Sequence, residues 1–344
     1  MSKKNPYIDF IKGVAIFLVV FAHCLQYGNG TTFLNDGLYW ENTIMKAIYS
    51  FHMPLFIAIS GYLFYFSCKR HGIIASVRRR IKLLLPICIT WALLLWMTGS
   101  IVNHTYHVKS LIRLIFTDFW FLWAVMVCVV MTALIESIRN HRVKILSCIT
   151  VIICFFITPD FYWLNAHKFM LPYFAVGYMC AKYDIYFKIH QYDRCIMMTS
   201  LCMWGGLLPF YNKSSYIYTT GITLIGKGDI YSQLAIDIFR YLIGFIGVVS
   251  VLYVAKILLN YLHGSKNAIT SYIVKGINYS GGNSIEFYIL STYLFVYVLP
   301  RLTQKFALNY LVTFVETLIV MFICAVCGMI LKRMGIIGKL IIGR

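Results

Sequence analysis

The chain has 344 residues, of which 60% are hydrophobic and only 12% are charged, and its mean hydropathy is +0.75. This composition excludes a soluble globular fold and predicts an all-α polytopic membrane protein. The formal net charge is +19, a value that raises the question of a nucleic-acid partner.

The distribution of the positive charge indicates membrane topology instead. Of the 31 Lys and Arg residues, 22 lie at the N-terminus, at the C-terminus or in every second loop between the apolar runs. This alternation follows the positive-inside rule, so we expect both termini in the cytoplasm. Attraction to anionic membrane lipid explains the basic excess, and we expect no nucleic-acid partner.

Apolar runs long enough to cross a bilayer recur along the chain, bounded by basic residues or by Gly, Asn and Pro. We predict one integral-membrane domain over residues 1–344, with about ten transmembrane helices and no separate soluble domain. The fifth and sixth spans are short. The predicted spans cover residues 8–27, 43–66, 83–102, 116–138, 145–158, 168–182, 195–211, 232–256, 283–300 and 310–331.

The first span contains an acid, a base and a histidine in an otherwise apolar helix. Ionisable side chains at membrane depth are costly and indicate a functional pathway by default. Asp9 lies three residues before Lys12, so the two charges can pair. His23 follows Lys12 by eleven residues, which returns to the same helix face ~16 Å further along. The alternative is a snorkelling lysine and a hydrogen-bonded core histidine.

The second span carries a histidine, a proline and a Ser-Gly step into the apolar region. Pro54 frees backbone groups that need partners, and Ser60-Gly61 permits close approach of another helix. We therefore consider His52 and Ser60 as candidates for a polar cavity inside the membrane.

The densest basic segment, residues 69–82, precedes the third span and ends with Arg78, Arg79, Arg80 and Lys82. Arg grips phosphate bidentately, so this loop is a candidate phosphate site at the cytoplasmic mouth. Membrane topology alone explains the cluster equally well.

The later spans contain three further polar features. Trp120 opens the fourth span, where interfacial tryptophan is ordinary. Asp237 and Arg240 are three residues apart in the eighth span, so we expect them to pair in the membrane and to line one cavity. Gly281 and Gly282 precede the ninth span, where glycines before a helix start expose N–H groups that can hold an anion. An ordinary loop end is the equal alternative.

Two patterns that are typical of metal sites have structural explanations here. Cys324 and Cys327 form a C-x-x-C in the middle of the last span, with no histidine or acid beside them. His104 and His107 lie in a loop without a neighbouring cysteine or carboxylate. We predict no metal centre.

Five motifs in chain order resemble the membrane-bound acyltransferase 3 family. Lys12 stands where arginine is commoner in the family, Lys82 stands where arginine is usual, and Ser291 stands where many members have histidine or glutamine. The resemblance extends from about residue 7 to residue 331. The motifs are the Lys12 to His23 spacing, FHMPLFIAISGYLF (51–64), RRRIKLLLP (78–86), WFLWA (120–124) and GGNSIEFYILS (281–291).

The resemblance implies transfer of an acyl group, usually acetyl from acetyl-CoA, onto a hydroxyl of a surface carbohydrate. It implies His23 as the base, with Lys12 and Asp9 on the same catalytic stripe. The CoA phosphates are expected at Lys12, Arg78, Arg79, Arg80 and Lys82, and at the turn that contains Gly281, Gly282 and Ser284. The residues expected around the acceptor are His52, Ser60, Trp120, Arg240 and Tyr288.

The resemblance also implies a bacterial inner-membrane protein that acts on a lipid-linked or surface glycan, such as O-antigen, capsule or exopolysaccharide. Acetyl-CoA is then a substrate, with no permanently bound cofactor. Nothing in the sequence supplies a second base near His23, so direct transfer is favoured over an acetyl-histidine. Two other classes stay open: a secondary transporter, although no internal repeats are evident, and a non-catalytic polysaccharide-export protein, which Ser291 would suit.

Overall fold

A computed structural model describes residues 6–28, 38–104, 107–185, 192–226, 228–264, 267–303 and 308–343. Within these ranges the regular structure is helical and contains no β-strand, which confirms the predicted all-α membrane protein. Five basic residues used in the topology count, Lys3, Lys4, Lys188, Lys266 and Arg344, lie outside the described residues.

The helices are numbered here in chain order. Two 3₁₀ turns, Leu208–Phe210 and Lys213–Ser215, and a π-helical segment, Leu294–Val298, accompany the α-helices. The α-helices are α1 (Pro6–Tyr27), α2 (Leu38–Glu41), α3 (Thr43–His71), α4 (Ile73–Asn103), α5 (Val108–Thr117), α6 (Trp120–Ser137), α7 (His141–Ile157), α8 (Leu164–Lys182), α9 (Asp193–Leu207), α10 (Ile217–Thr220), α11 (Ile230–Gly264), α12 (Ala268–Gly282), α13 (Ser284–Tyr293), α14 (Leu299–Thr303), α15 (Tyr310–Arg333) and α16 (Ile336–Ile342).

Each predicted span coincides with a helix or, for the ninth, with the run from α13 to α14. Among the described residues, seven of these helices are long and apolar enough to cross a membrane by themselves. Three of these helices do not meet this criterion. Helices α7 (17 residues) and α9 (15 residues) are too short. Helix α8 has 19 residues but is less apolar, and it carries the buried Lys168. The two spans predicted to be short correspond to α7 and α8.

The third span begins earlier than the sequence predicted. Helix α4 starts at Ile73, directly after Gly72, whose φ of +81° lies in the region that favours glycine. The basic cluster at residues 78–82 therefore lies on a helix and not in a loop. Arg, Lys and Leu all have high helix propensity, which explains why the helix extends through this segment.

Two glycines allow a close contact between helices α3 and α8. A Cβ atom at Gly61 would overlap the carbonyl oxygen of Phe174, and one at Gly177 would overlap that of Ala58. Helices α3 and α8 therefore meet at backbone distance, which confirms the close approach predicted for the Ser60-Gly61 step. The largest apolar cluster lies beside this contact, between α3, α4, α6 and α8.

The buried Arg240 of α11 anchors the segment between α9 and α11. It forms an ion pair of 2.6 Å with Asp237, as predicted. Its guanidinium also donates to the carbonyl oxygens of Ser215 (3.0 Å) and Ser214 (2.7 Å), and to Thr220 Oγ1. One side chain thus holds several turns of the 208–226 segment over the ends of α3 and α8.

Candidate active site

Helix α1 carries a stripe of side chains from Lys12 to His23. The Nζ atom of Lys12 lies 3.7 Å from Asp9 Oδ1, so the predicted pair forms, although both side chains are about one-fifth exposed. Helix α1 is continuous from Pro6 to Tyr27. Because Lys12 and His23 are eleven residues apart on this one helix, they share a face. Ile16 and Val19 lie between them on that face.

A narrow cavity follows this stripe. It is lined by Ile16 and Val19 of α1, by Phe56 of α3, and by Ser284 and Tyr288 of α13. We name it the Tyr288 cavity. Its volume is about 30 Å³, which is room for one or two water molecules. The cavity places two predicted site residues, Ser284 and Tyr288, beside the stripe between Lys12 and His23.

The hydrogen bond of His23 determines which ring nitrogen carries the proton. His23 Nδ1 lies 3.2 Å from Gln26 Oε1. An amide oxygen only accepts hydrogen bonds, so Nδ1 is the donor and Nε2 of the neutral ring keeps its lone pair. The ring also packs against Phe295, with centroids 5.2 Å apart. This arrangement suits a base that takes a proton at Nε2.

A second imidazole is linked to the first. Tyr49 donates its hydroxyl to the same Gln26 oxygen (3.4 Å), and its ring lies 4.9 Å from the ring of His52. The Nδ1–H of His52 donates to the carbonyl oxygen of Ile48 (2.7 Å), so His52 also keeps its lone pair on Nε2. His52 is therefore a second imidazole that connects to His23 through Gln26 and Tyr49, and the sequence did not indicate it.

Sequence reasoning missed Gln26 and Tyr49, which make this link. Gln26 lies three residues after His23, the spacing at which helical side chains meet, and this signal was available. Tyr49 comes from another helix, and nothing in the sequence places it beside Gln26.

Two more cavities continue from His52 to the end of the molecule opposite Lys12. The His52 cavity has about 30 Å³ and is lined by His52, Met53, Tyr216 and Arg240. Met53 also lines the Tyr288 cavity, so these two spaces are neighbours. A third space, which we name the aromatic cleft, has about 690 Å³ and shares Ile217 and Tyr218 with the His52 cavity.

The remaining predicted cavity residues differ in their positions. Trp120 lies against Tyr218, with ring centroids 5.9 Å apart, at the junction of the His52 cavity and the aromatic cleft. Arg240 lines the His52 cavity, but its donors are bound by protein, so it positions the segment around it. Ser60 lines none of the three cavities. Its hydroxyl donates to the carbonyl oxygen of Phe56 (2.9 Å) within α3.

The basic residues at 78–82 differ in their exposure to solvent. Arg80 is half-buried and lies one turn before the buried Leu84, on the face of α4 that packs into the protein. Arg78, Arg79 and Lys82 are exposed. Arg80 is therefore the member of the cluster that is placed to reach an inward-bound ligand.

The sequence predicted that the glycines before the ninth span expose N–H groups at a helix start. The structure does not place them there. Gly281 and Gly282 are the last residues of α12, and Asn283 separates them from α13. A Cβ atom at Gly281 would overlap the carbonyl oxygen of Asp9 and the nitrogen of Gly13. Close packing of α12 on α1 therefore requires Gly281 to be glycine, and the same packing places this turn beside the Asp9–Lys12 pair.

A lysine of α15 contacts the start of α13, and the sequence did not indicate this contact. Lys332 of α15 lies 2.8 Å from Glu286 Oε2 and 2.9 Å from Asn283 Oδ1. Ser291 is buried, and its hydroxyl donates to the carbonyl oxygen of Tyr288 (3.2 Å). The ninth span thus contributes structural polar contacts on both sides of Tyr288.

Replacing Gly281 by alanine tests this packing role. We expect Gly281→Ala to lower the melting temperature of the purified protein, because α12 must move away from α1. Gly276→Ala in the same helix is the matched control, since a Cβ at Gly276 has open space around it. We expect Gly276→Ala to leave the melting temperature unchanged or raised, because alanine favours helix by ~1 kcal/mol over glycine. Equal melting temperatures for the two variants would contradict the packing role.

Comparison with known proteins agrees with the resemblance seen in the motifs. A nodulation protein, NolL, from Mesorhizobium japonicum is 30% identical over 192 residues, which cover 53% of this chain and 49% of that protein. NolL from Sinorhizobium fredii is 31% identical over 186 residues, or 53% of this chain and 50% of that protein. The matched region spans about half the length of these curated relatives.

No solved structure matches the chain significantly. The family described as "Acyltransferase domain" matches residues 5–332, nearly the whole chain. That range contains α1 with its Lys12–His23 stripe, all three cavities and the segment anchored by Arg240. The protein therefore belongs to this acyltransferase family.

Proposed function

We propose that the protein transfers an acetyl group from cytoplasmic acetyl-CoA to a hydroxyl of a cell-surface glycan, in a bacterial inner membrane. The observation that carries this proposal is the stripe from Lys12 to His23, with a cavity along it and a free Nε2 at its far end. Family membership supports acyl transfer as the reaction class. The acetyl donor, the glycan acceptor and the membrane are our proposals.

The donor approaches from the Lys12 end. Lys12 and the half-buried Arg80 are the cations that we propose for the CoA phosphates, with Arg78, Arg79 and Lys82 contributing attraction at longer range. The pantetheine arm runs through the Tyr288 cavity towards His23. Because this cavity has only about 30 Å³, side chains such as Phe56 and Tyr288 must move apart when the arm enters.

His23 then acts as a general base. Its Nε2 takes the proton of the sugar hydroxyl as the hydroxyl oxygen attacks the thioester carbonyl carbon. The tetrahedral intermediate collapses, the C–S bond breaks, and the CoA sulfur leaves with the proton from the imidazolium. The products are an acetyl ester and CoA thiol, and His23 returns to its neutral form. The Gln26 oxygen stabilises the imidazolium through the Nδ1–H in the transition state.

Turnover in detergent tests the proposal against the two rival classes. Purified protein is incubated with acetyl-CoA and bacterial glycan, and the glycan is then analysed by mass spectrometry. We expect the glycan to gain acetyl groups while CoA is released. A transporter or a non-catalytic export protein would leave both substrates chemically unchanged, and this result would overturn the proposed reaction.

Binding of acetyl-CoA separates the members of the basic cluster. We expect Arg80→Ala and Lys12→Ala each to raise the Kd for acetyl-CoA by at least fivefold, because each loses a charge-assisted phosphate contact. Arg79→Ala, which removes an exposed neighbour of Arg80, should change the Kd less than twofold at 0.15 M salt. Titration calorimetry gives these values, and insertion in the correct orientation is checked in each variant. An unchanged Kd in Arg80→Ala would mean that the basic cluster does not bind acetyl-CoA and only sets the orientation of the protein in the membrane.

A further inference from the structure

The aromatic cleft lies at the end of the molecule opposite Lys12, and the donor path proposed above does not involve it. Three aromatic side chains, Tyr162, Trp163 and Tyr218, line it and are between one-third and one-half exposed. The rings of Trp163 and Tyr218 are in contact, with centroids 5.0 Å apart. With about 690 Å³, the cleft falls within the size range of small-ligand sites.

The backbone holds two of these aromatics in an unusual conformation. Tyr162 and Trp163 are consecutive and have φ values of +46° and +64°. Residues other than glycine seldom adopt such angles, and each costs free energy that the surroundings must offset. Here Asn165 of the following turn donates its N–H to Asp160 Oδ1 (2.8 Å), which closes the loop. Both rings are thereby presented to the cleft.

The cleft also carries positive charge. Lys109 and Arg113 lie four residues apart on one face of α5 and line the cleft. Neither forms a salt bridge within the described part of the chain. The indole Nε1–H of Trp123 donates to the carbonyl oxygen of Ile115 (2.7 Å), which fixes α5 against α6. Two cations are thus held beside an aromatic wall.

We propose that the aromatic cleft binds an acidic oligosaccharide, one with a carboxylate or phosphate group on at least one sugar. The aromatic rings offer flat apolar faces to the C–H faces of the sugar rings. Lys109 and Arg113 pair with the acidic group, while Asp160 accepts hydrogen bonds from sugar hydroxyls.

This proposal rests on the proposed function and names its acceptor class. The cleft meets the His52 cavity at Ile217 and Tyr218, and Met53 separates the His52 cavity from the Tyr288 cavity. A glycan in the cleft is therefore at the head of a series of spaces that ends beside the His23 stripe. Donor and acceptor enter from opposite ends of the molecule.

Binding of defined oligosaccharides to the full chain in detergent, without acetyl-CoA, tests the proposal independently of catalysis. The probes are trigalacturonate, maltotriose as its neutral counterpart, and inorganic phosphate as the anion alone. We expect trigalacturonate to bind at least tenfold more tightly than either of the others. Failure of trigalacturonate to bind at millimolar concentration, or phosphate binding as tightly, would overturn the proposal.

Matched variants locate the site. We expect Trp163→Ala to weaken trigalacturonate binding at least tenfold, whereas Phe161→Ala, an exposed aromatic in the same segment outside the cleft, leaves the Kd within twofold. The double variant Lys109→Ala, Arg113→Ala should reduce trigalacturonate binding to the level of maltotriose, with Lys213→Ala as its control. Equal Kd values for Trp163→Ala and Phe161→Ala would exclude the cleft as the site.

The two hypotheses fail separately. Glycan acetylation with an unchanged glycan KM in Trp163→Ala would overturn the cleft proposal and leave the acyltransferase proposal standing. Tight, Trp163-dependent binding of trigalacturonate without acetyl transfer to any glycan would overturn the transferase and support the cleft.

Discussion

Substituting His23 by alanine is expected to lower glycan acetylation by ~10²–10⁴-fold, the usual contribution of a general base. In the proposed mechanism the variant loses the Nε2 lone pair that takes the hydroxyl proton, while the proposed acetyl-CoA contact at Lys12 is retained. His23 packs beside Phe295 at the end of the stripe away from Lys12, and alanine is well tolerated in a helix. Mass spectrometry of glycan from cells that express the variant measures the loss.

Two comparisons make this result specific. The exposed His141, the first residue of α7 and far along the chain from His23, provides the control His141→Ala and should retain full activity. Immunoblotting of membranes shows whether His23→Ala accumulates to the same level as the unsubstituted protein. Near-normal acetylation by an accumulated His23→Ala variant would remove the base on which the mechanism depends.

The largest effect on stability is expected at Arg240. Its side chain is 2% exposed and is paired with Asp237, which is equally buried. Arg240→Met leaves the buried Asp237 carboxylate without its cation, although Gln233 Nε2 still donates to it, and removes the donors to several loop carbonyl groups. Loss of one partner from a buried ion pair costs about 3–5 kcal/mol. We therefore expect a strong decrease in melting temperature and in accumulation, measured by thermal unfolding in detergent.

Further variants separate the ion pair from the loop anchor. Asp237→Asn should cost less than Arg240→Met, because the guanidinium keeps its contacts to Ser214, Ser215 and Thr220. Arg301→Met is the control, since Arg301 is exposed and donates to the carbonyl oxygen of Tyr297 on its own helical run. If Arg240→Met unfolds at the same temperature as Arg301→Met, Arg240 does not anchor the segment.

The sequence was sufficient for features that depend on one helix at a time. All ten predicted apolar runs fall on helical segments, although α12 was not predicted, and the spacing of Lys12 and His23 placed both on one face of α1. The i,i+3 spacing of Asp237 and Arg240 predicted their ion pair. Helical geometry is local, so residue spacing determines which side chains share a face.

Features built from several helices were not available from the sequence. Tyr49 meets Gln26 because α3 packs against α1, and the link between His23 and His52 depends on that contact. The aromatic cleft combines α5, the loop before α8 and α10, segments that are up to about a hundred residues apart. Gly281 follows the same logic, since the sequence left an anion-binding turn and an ordinary loop end open, and only tertiary packing shows the close contact of α12 with α1.

Vectorial transfer in proteoliposomes tests the central claim most directly. The purified protein is reconstituted with glycan enclosed in the lumen, and acetyl-CoA carrying a radiolabelled acetyl group is added outside only. Molecules whose Lys12 end faces outwards should place labelled acetyl on the enclosed glycan and release CoA outside, and His23→Ala should do neither. Label that enters the lumen as intact acetyl-CoA, or acetyl-CoA that is consumed while the enclosed glycan stays unlabelled, would contradict acetyl transfer through the His23 stripe.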